Sequence, residues 1–203
     1  LGINTTASAT RVFPKSEWYG SIWEQIKQLF YLTKPIKNQQ FDGGLNVYCG
    51  TICFVLIFVY LLNRKIKLWD KVKHVILLVI IFASFNNQLL NYIWHGLHDQ
   101  YGIPNRFSFL FIFLLLAMCC EVLMKLTRED ILPVMISVAM GYGFLILAYK
   151  KCTLDKQTLL WTEIFLTAYV VCIVAFTLAK GIWRQVILYL LCLLYTSPSP
   201  RDS

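Results

Sequence analysis

The sequence predicts an all-α fold, a polytopic transmembrane helix bundle of about five to six spans, and three observations carry that expectation. Hydrophobic residues make up 58% of the chain and charged residues 15%, with a mean hydropathy of +0.59, well above that of a soluble domain. The apolar residues are gathered into runs separated by short polar loops, and a run of about 20 such residues is what a helix needs to cross hydrocarbon. The net charge is +8 and the pI near 9.1. The Lys and Arg residues nevertheless lie in those loops, where they set topology, rather than in a patch suited to nucleic acid.

Residues 1–45 are too mixed to cross a membrane and are expected to form an extracytoplasmic segment. Within it Trp18, Tyr19, Ile22, Trp23, Ile26, Leu29 and Phe30 recur at steps of three and four. That spacing places them on one face of an amphipathic helix, capped by Ser16, which lies in the headgroup zone or, the preferred placement, packs over the mouth of the bundle. The turn Asp42-Gly43-Gly44 leads into a first span over 46–62. The basic stretch 63–73 follows, with Arg64, Lys65, Lys67, Lys71 and Lys73. A second span over 75–94 must include Asn86, Asn87, Gln88 and Asn91 if one helix is to finish crossing, so its second half is polar.

Loop 95–106 contains Gly96, Gly102 and Pro104, and a third span runs over 107–124. A fourth covers 131–149. Pro133 stands in its first turn, where a missing N–H costs little, and Gly141 and Gly143 midway would admit a close helix neighbour or a kink. A fifth span covers 159–179 and a partial sixth 186–195. The seven cysteines show no CxxC spacing and lie mostly in apolar runs, as expected of free thiols packed as small apolar residues. The chain opens at Leu1 without an initiator Met, and its last residues, from about Cys192 through LLYTSPSPRDS, resemble a translated sequencing adapter. A fragment is therefore expected, with 196–203 an artefactual or disordered tail.

Loops 63–73, 125–130 and 180–185 hold nine Lys and Arg residues, and loops 95–106 and 150–158 hold four. The first set is therefore expected to be cytoplasmic. The polar half of the second span then faces outward. Polar residues at membrane depth usually face a bundle interior or a water-filled cavity, because hydrocarbon offers them no partner. The stretch Asn86 to Phe113 is accordingly the expected wall of a site.

Within it His95, His98 and Asp99 would share one helical face if the second helix continues. Three ligand types in one short segment are a weak metal signal, and a histidine that bonds or takes a proton is the stronger expectation. Arg106 stands just before an apolar run. There its fork of donors suits phosphate, and an interfacial anchor is the alternative. Asn91, Asn105 and Tyr48 would orient hydroxyls or satisfy helix ends, while Tyr92, Trp94 and Tyr101 read as aromatic-belt residues.

Several of these stretches resemble the YfhO family of bacterial membrane proteins over roughly residues 41–125. They are Asn46-Val47-Tyr48-Cys49-Gly50, the basic NRKIKLWDKVK loop, Leu90-Asn91-Tyr92-Ile93-Trp94-His95-Gly96 and Pro104-Asn105-Arg106-Phe107-Ser108-Phe109, in that order. The resemblance implies a fold similar to the GT-C glycosyltransferases. It further implies transfer of a sugar from a polyprenyl-phosphate carrier to an extracytoplasmic polymer such as lipoteichoic acid. In such proteins the catalytic carboxylate usually lies in a first outer loop, so none is assigned here, neither Asp42 nor Asp99. The expected binding residues for substrate and lipid phosphate are His95, Arg106, Asn91, His98, Asn105 and Tyr48. Membrane lipids are the other expected partners, with no nucleic acid. No cofactor is expected, and a divalent metal requirement stays open. A transporter or lipid flippase with an outward polar cavity, and a non-catalytic membrane scaffold, are the alternatives.

Overall fold

The computed structural model describes residues 14–34, 36–37, 44–97 and 105–195. The fold is an all-α helix bundle: α1 (Ile22–Lys27), α2 (Cys53–Leu62), α3 (Leu68–Ser84), α4 (Gln88–Trp94), α5 (Ser108–Lys125), α6 (Ile131–Cys152), α7 (Lys156–Leu178) and α8 (Ile182–Tyr195). The sole sheet among the described residues is a two-residue antiparallel pairing of β1 (Ile36–Lys37) with β2 (Gly44–Leu45).

Among the described residues three stretches are long and apolar enough to cross a membrane: Ser108–Lys125, Arg128–Cys152 and Lys156–Leu178. Only 28% of each apolar window is buried inside the protein. Large side chains such as Phe113, Leu132 and Val171 are more than half exposed. A helix apolar on every side but buried on one is matched to lipid, not to water. The buried sides are regular. Val134, Ser137, Gly141, Leu145, Ala148 and Cys152 make one stripe along α6, and Thr158, Thr162, Leu166, Tyr169 and Ile173 make one along α7.

α2 is the centre of the bundle, held between α5 and α6, with Val55, Val59 and Tyr60 fully buried. It is shorter than the span expected over 46–62, because the chain is helical only from Cys53. Residues 46–52 reach it without helix, turning at Gly50 (φ 86°). Irregular backbone at such depth is tolerated when protein covers it, and Val47, Cys49, Thr51 and Ile52 are all buried. α6 approaches α2 closely at Gly141, where an added Cβ would lie 3.1 Å from Val55 Cγ2 and 3.3 Å from the Phe54 carbonyl. Gly143 has open space instead. Of the two glycines, Gly141 alone serves close packing.

The amphipathic N-terminal helix is shorter than its periodicity implied. It begins at Ile22, capped by Ser21, whose hydroxyl accepts from the Trp23 amide (3.3 Å). Ser16 is not the cap; its hydroxyl accepts from Asn87 Nδ2 (3.0 Å). Trp18 and Tyr19 lie outside the helix because backbone pairing with residues 86–88 holds that segment extended. α1 packs against α6.

At the end of the bundle formed by loops 63–67, 125–131 and 178–182, basic side chains cap helix C-termini. Lys71 Nζ donates to the carbonyls of Leu61 (2.8 Å) and Asn63 (2.6 Å) after α2. Lys65 reaches the Lys125 carbonyl at the end of α5 (3.4 Å), the Thr127 hydroxyl and Asp130 Oδ2 (2.6 Å). Arg184 donates to the Leu126 carbonyl (2.6 Å), and Arg128 to the Leu178 carbonyl at the end of α7 (2.7 Å). The last carbonyls of a helix have no partner within it and carry its negative dipole end, so cations there satisfy both needs.

Candidate functional site

The continuous helix expected over 75–94 is broken: α3 ends at Ser84 and α4 starts at Gln88. Asparagine causes the break. Its side chain competes with the helix for backbone partners and favours N-caps. Asn87 caps α4 by accepting from the Leu90 amide (3.1 Å). Asn86 uses both ends of its amide on Gly20, accepting from its N–H (3.0 Å) and donating to its carbonyl (2.8 Å). The freed backbone is met by the extended N-terminal segment, Tyr19 N–H donating to Asn86 O (2.8 Å) and Gln88 N–H to Glu17 O (2.9 Å).

α4 ends in a Schellman turn. Leu97 N–H bonds the Tyr92 carbonyl and Gly96 N–H the Ile93 carbonyl, with Gly96 at φ 70° and Leu97 at φ 64°. The helix therefore stops at His95, and the continuation on which a shared face of His95, His98 and Asp99 depended is interrupted at Gly96 and Leu97. His98 and Asp99, with Tyr101 and Asp42, lie outside the described residues. Among the described residues no three His, Cys, Asp or Glu side chains are grouped to hold a metal.

His95 is half-buried at this helix end, edge-on to Phe107 with ring centroids 5.7 Å apart. Its Nδ1 lies 2.9 Å from the Asn91 carbonyl, which can only accept, so Nδ1 carries the proton. Its Nε2 is buried and has no partner among the described residues. Asn91 is buried too, and its amide donates to Asn105 Oδ1 (2.7 Å) and to the Ser84 carbonyl (3.4 Å). Ser84 in turn accepts from Trp94 Nε1 (3.0 Å), and Trp94 stacks on Phe107 (5.3 Å). Asn105 adopts φ 51°, a left-handed turn that Asn tolerates, and its carbonyl accepts from Ser108 N–H to open α5. Arg106 follows, exposed at the same end. The structure thus joins His95, Asn91, Asn105 and the backbone that carries Arg106 into one cluster. Asn91 and Asn105 are occupied with each other as its frame.

Tyr48 belongs to another neighbourhood. It packs on Tyr31 (5.8 Å), which meets Phe165 of α7 edge-on (5.1 Å). Burial pushes the Tyr31 phenol above its ordinary pKa, so it remains a neutral hydroxyl at physiological pH. A polar cavity of 610 Å³ opens between α1, the 32–34 turn and the start of α7, lined by Glu24, Lys27, Gln28, Lys34, Asp155 and Thr158 among others. No sequence pattern marked it, because its walls come from segments more than a hundred residues apart. Also unforeseen is the fully buried Tyr60, whose hydroxyl lies 2.6 Å from His74 Nδ1. The thiols are free as expected; Cys49, Cys53, Cys119 and Cys152 are buried, whereas Cys120 and Cys192 are exposed.

No curated protein and no solved structure matches the chain. The sequence pattern of a family described as bacterial membrane protein YfhO matches residues 6–198. That match extends well beyond the 41–125 region of quoted motifs, through α6 and α7. A bundle with three helices able to cross a membrane among the described residues agrees with the family's description. The chain belongs to the YfhO family of bacterial membrane proteins.

Proposed function

We propose that this chain is part of an integral-membrane glycosyltransferase that moves a sugar from a polyprenyl-phosphate carrier to an extracytoplasmic cell-wall polymer such as lipoteichoic acid. The observation that carries the proposal is His95: Nδ1 is pinned as a donor, and Nε2, the ring nitrogen left to exchange a proton, has no partner among the described residues. An imidazole oriented in this way is suited to take the proton of an acceptor hydroxyl in its neutral form, or to donate to a phosphate oxygen in its protonated form. Arg106 at the same end offers a planar fork of donors for the carrier phosphate, whose charge grows as the sugar departs. Asn91 and Asn105 position the pair, because their mutual bond ties the end of α4 to the start of α5.

The distribution of Lys and Arg supports an outward-facing cluster, with loops 63–73, 125–130 and 180–185 on the cytoplasmic side. The break between α3 and α4 favours the alternative of a transporter or lipid flippase, since discontinuous helices commonly form substrate sites in such proteins. Here the exposed backbone of the break is bonded to residues 17–20 instead of being open to a substrate. That weighs against the alternative.

The test is transfer of labelled sugar from a polyprenyl phosphate to lipoteichoic acid by the purified full-length protein. His95→Ala and Arg106→Ala are each expected to lower the rate by about 100-fold or more, with thermal stability near that of the parent. Unchanged transfer in both variants would remove the cluster from the mechanism.

A further inference from the structure

We propose that the cavity between α1 and the start of α7 is a binding site for a polyhydroxylated group, a pyranose or similar polyol. It is separate from the His95 cluster and does not depend on the transfer reaction. The cavity holds 610 Å³, within the size range of small-molecule sites. Its lining is chemically mixed. Glu24 and Asp155 bring two carboxylates, and neither makes an ion pair among the described residues. Lys27 and Lys34 bring two ammonium groups, of which Lys27 reaches the Thr153 carbonyl at 3.5 Å.

The charges balance, so the walls select neither an anion nor a cation. They offer donors and acceptors side by side, and a hydroxyl is the group that uses both at once. Gln28 adds a more specific demand. It is 2% exposed, its Nε2 donates to the Lys34 carbonyl (2.8 Å), and its Oε1 is left without a partner among the described residues. A buried acceptor in that state is costly, and an occupant carrying hydroxyl donors would meet it. The wall beside it is a strained turn, with Leu32 at φ 61°, a conformation found at ligand clamps more often than elsewhere.

The full-length protein, in a detergent without a sugar headgroup, would be titrated with methyl α-D-glucopyranoside, methyl α-D-galactopyranoside and methyl α-D-mannopyranoside by saturation-transfer NMR. A parallel arm would use vesicles containing decyl glucoside. Saturable binding of a soluble pyranoside supports recognition of the sugar itself; binding confined to the vesicle arm supports a glycolipid headgroup as its source. In either case Gln28→Met and Asp155→Asn should each weaken binding by about tenfold or more, and Lys67→Met, at an exposed position at the opposite end of the bundle, should leave it unchanged. Gln28→Met removes the unmet acceptor together with the bond to the carbonyl of Lys34, an exposed residue whose carbonyl can take water instead, so its unfolding temperature should not fall below the parent's without ligand. No saturable binding in either arm, or binding indifferent to both cavity variants, would overturn the proposal. Binding retained while transfer fails would overturn the transferase reading alone.

Discussion

At the scale of single residues, the polar stretch between α3 and α5 divides into groups that build and groups to which the proposed function assigns chemistry. Asn91 builds. Asn91→Ala would remove the Asn91 bond to Asn105 Oδ1, in a residue 7% exposed, at an expected cost of about 0.5–1.5 kcal/mol. A double-mutant cycle with Asn105→Ala, read by thermal unfolding, should return a coupling of at least about 0.5 kcal/mol; additive losses would mean that the bond contributes nothing. The sequence identified Asn91, His95, Asn105 and Arg106 by residue type at an unexpected depth. It did not show that Asn91 spends its amide on Asn105, because a pairing fourteen residues away depends on where α4 stops. Nor did it separate Gly141 from Gly143, which differ only in what faces them. Gly141→Ala should destabilise by about 1–3 kcal/mol through overpacking against α2, while Gly143→Ala should be neutral or stabilising. Equal effects would contradict the close approach at Gly141.

At the scale of elements, two kinds of join hold the bundle's ends. One is the stitching of residues 17–20 to the α3–α4 break. Asn86→Ala removes both side-chain bonds to Gly20, and hydrogen exchange at the Tyr19 and Gln88 amides should accelerate by about tenfold; unchanged exchange would show that the backbone pairing suffices. The other join is cationic capping at the opposite end. Lys71→Met strips two carbonyls of their donor and should cost about 1–2 kcal/mol, whereas Lys67→Met, at an exposed position, should cost almost nothing. Periodicity found the long helices α5, α6 and α7 because lipid-facing runs are unambiguous. It missed the break in the second span and the late start of α2, since hydropathy reports burial and not backbone bonding. The basic loop read as a topology signal also serves as a set of helix caps, a second role that composition does not disclose.

At the scale of the whole molecule, lipid-facing helices leave the bundle with two chemically distinct ends. Loops rich in Lys and Arg lie at one end, and the His95 cluster and the α1–α7 cavity at the other. In a cysteine-free background, Leu97→Cys should react with an impermeant maleimide in intact cells, and Lys67→Cys should react only after the membrane is opened. The reverse pattern would turn the site inward and exclude transfer outside the cell. Hydropathy and the quoted motifs made the membrane bundle and the family legible in the sequence. The cavity was not legible, because two distant segments form it. The measurement that bears most directly on the account is made in the organism that encodes the protein. Its gene is deleted, the sugars of the cell-wall polymers are analysed, and the strain is complemented with the wild type or with Arg106→Ala at matched protein levels. The account predicts that one sugar is lost, restored by the wild type and not by Arg106→Ala. An unchanged polymer after deletion, or full restoration by Arg106→Ala, would contradict it.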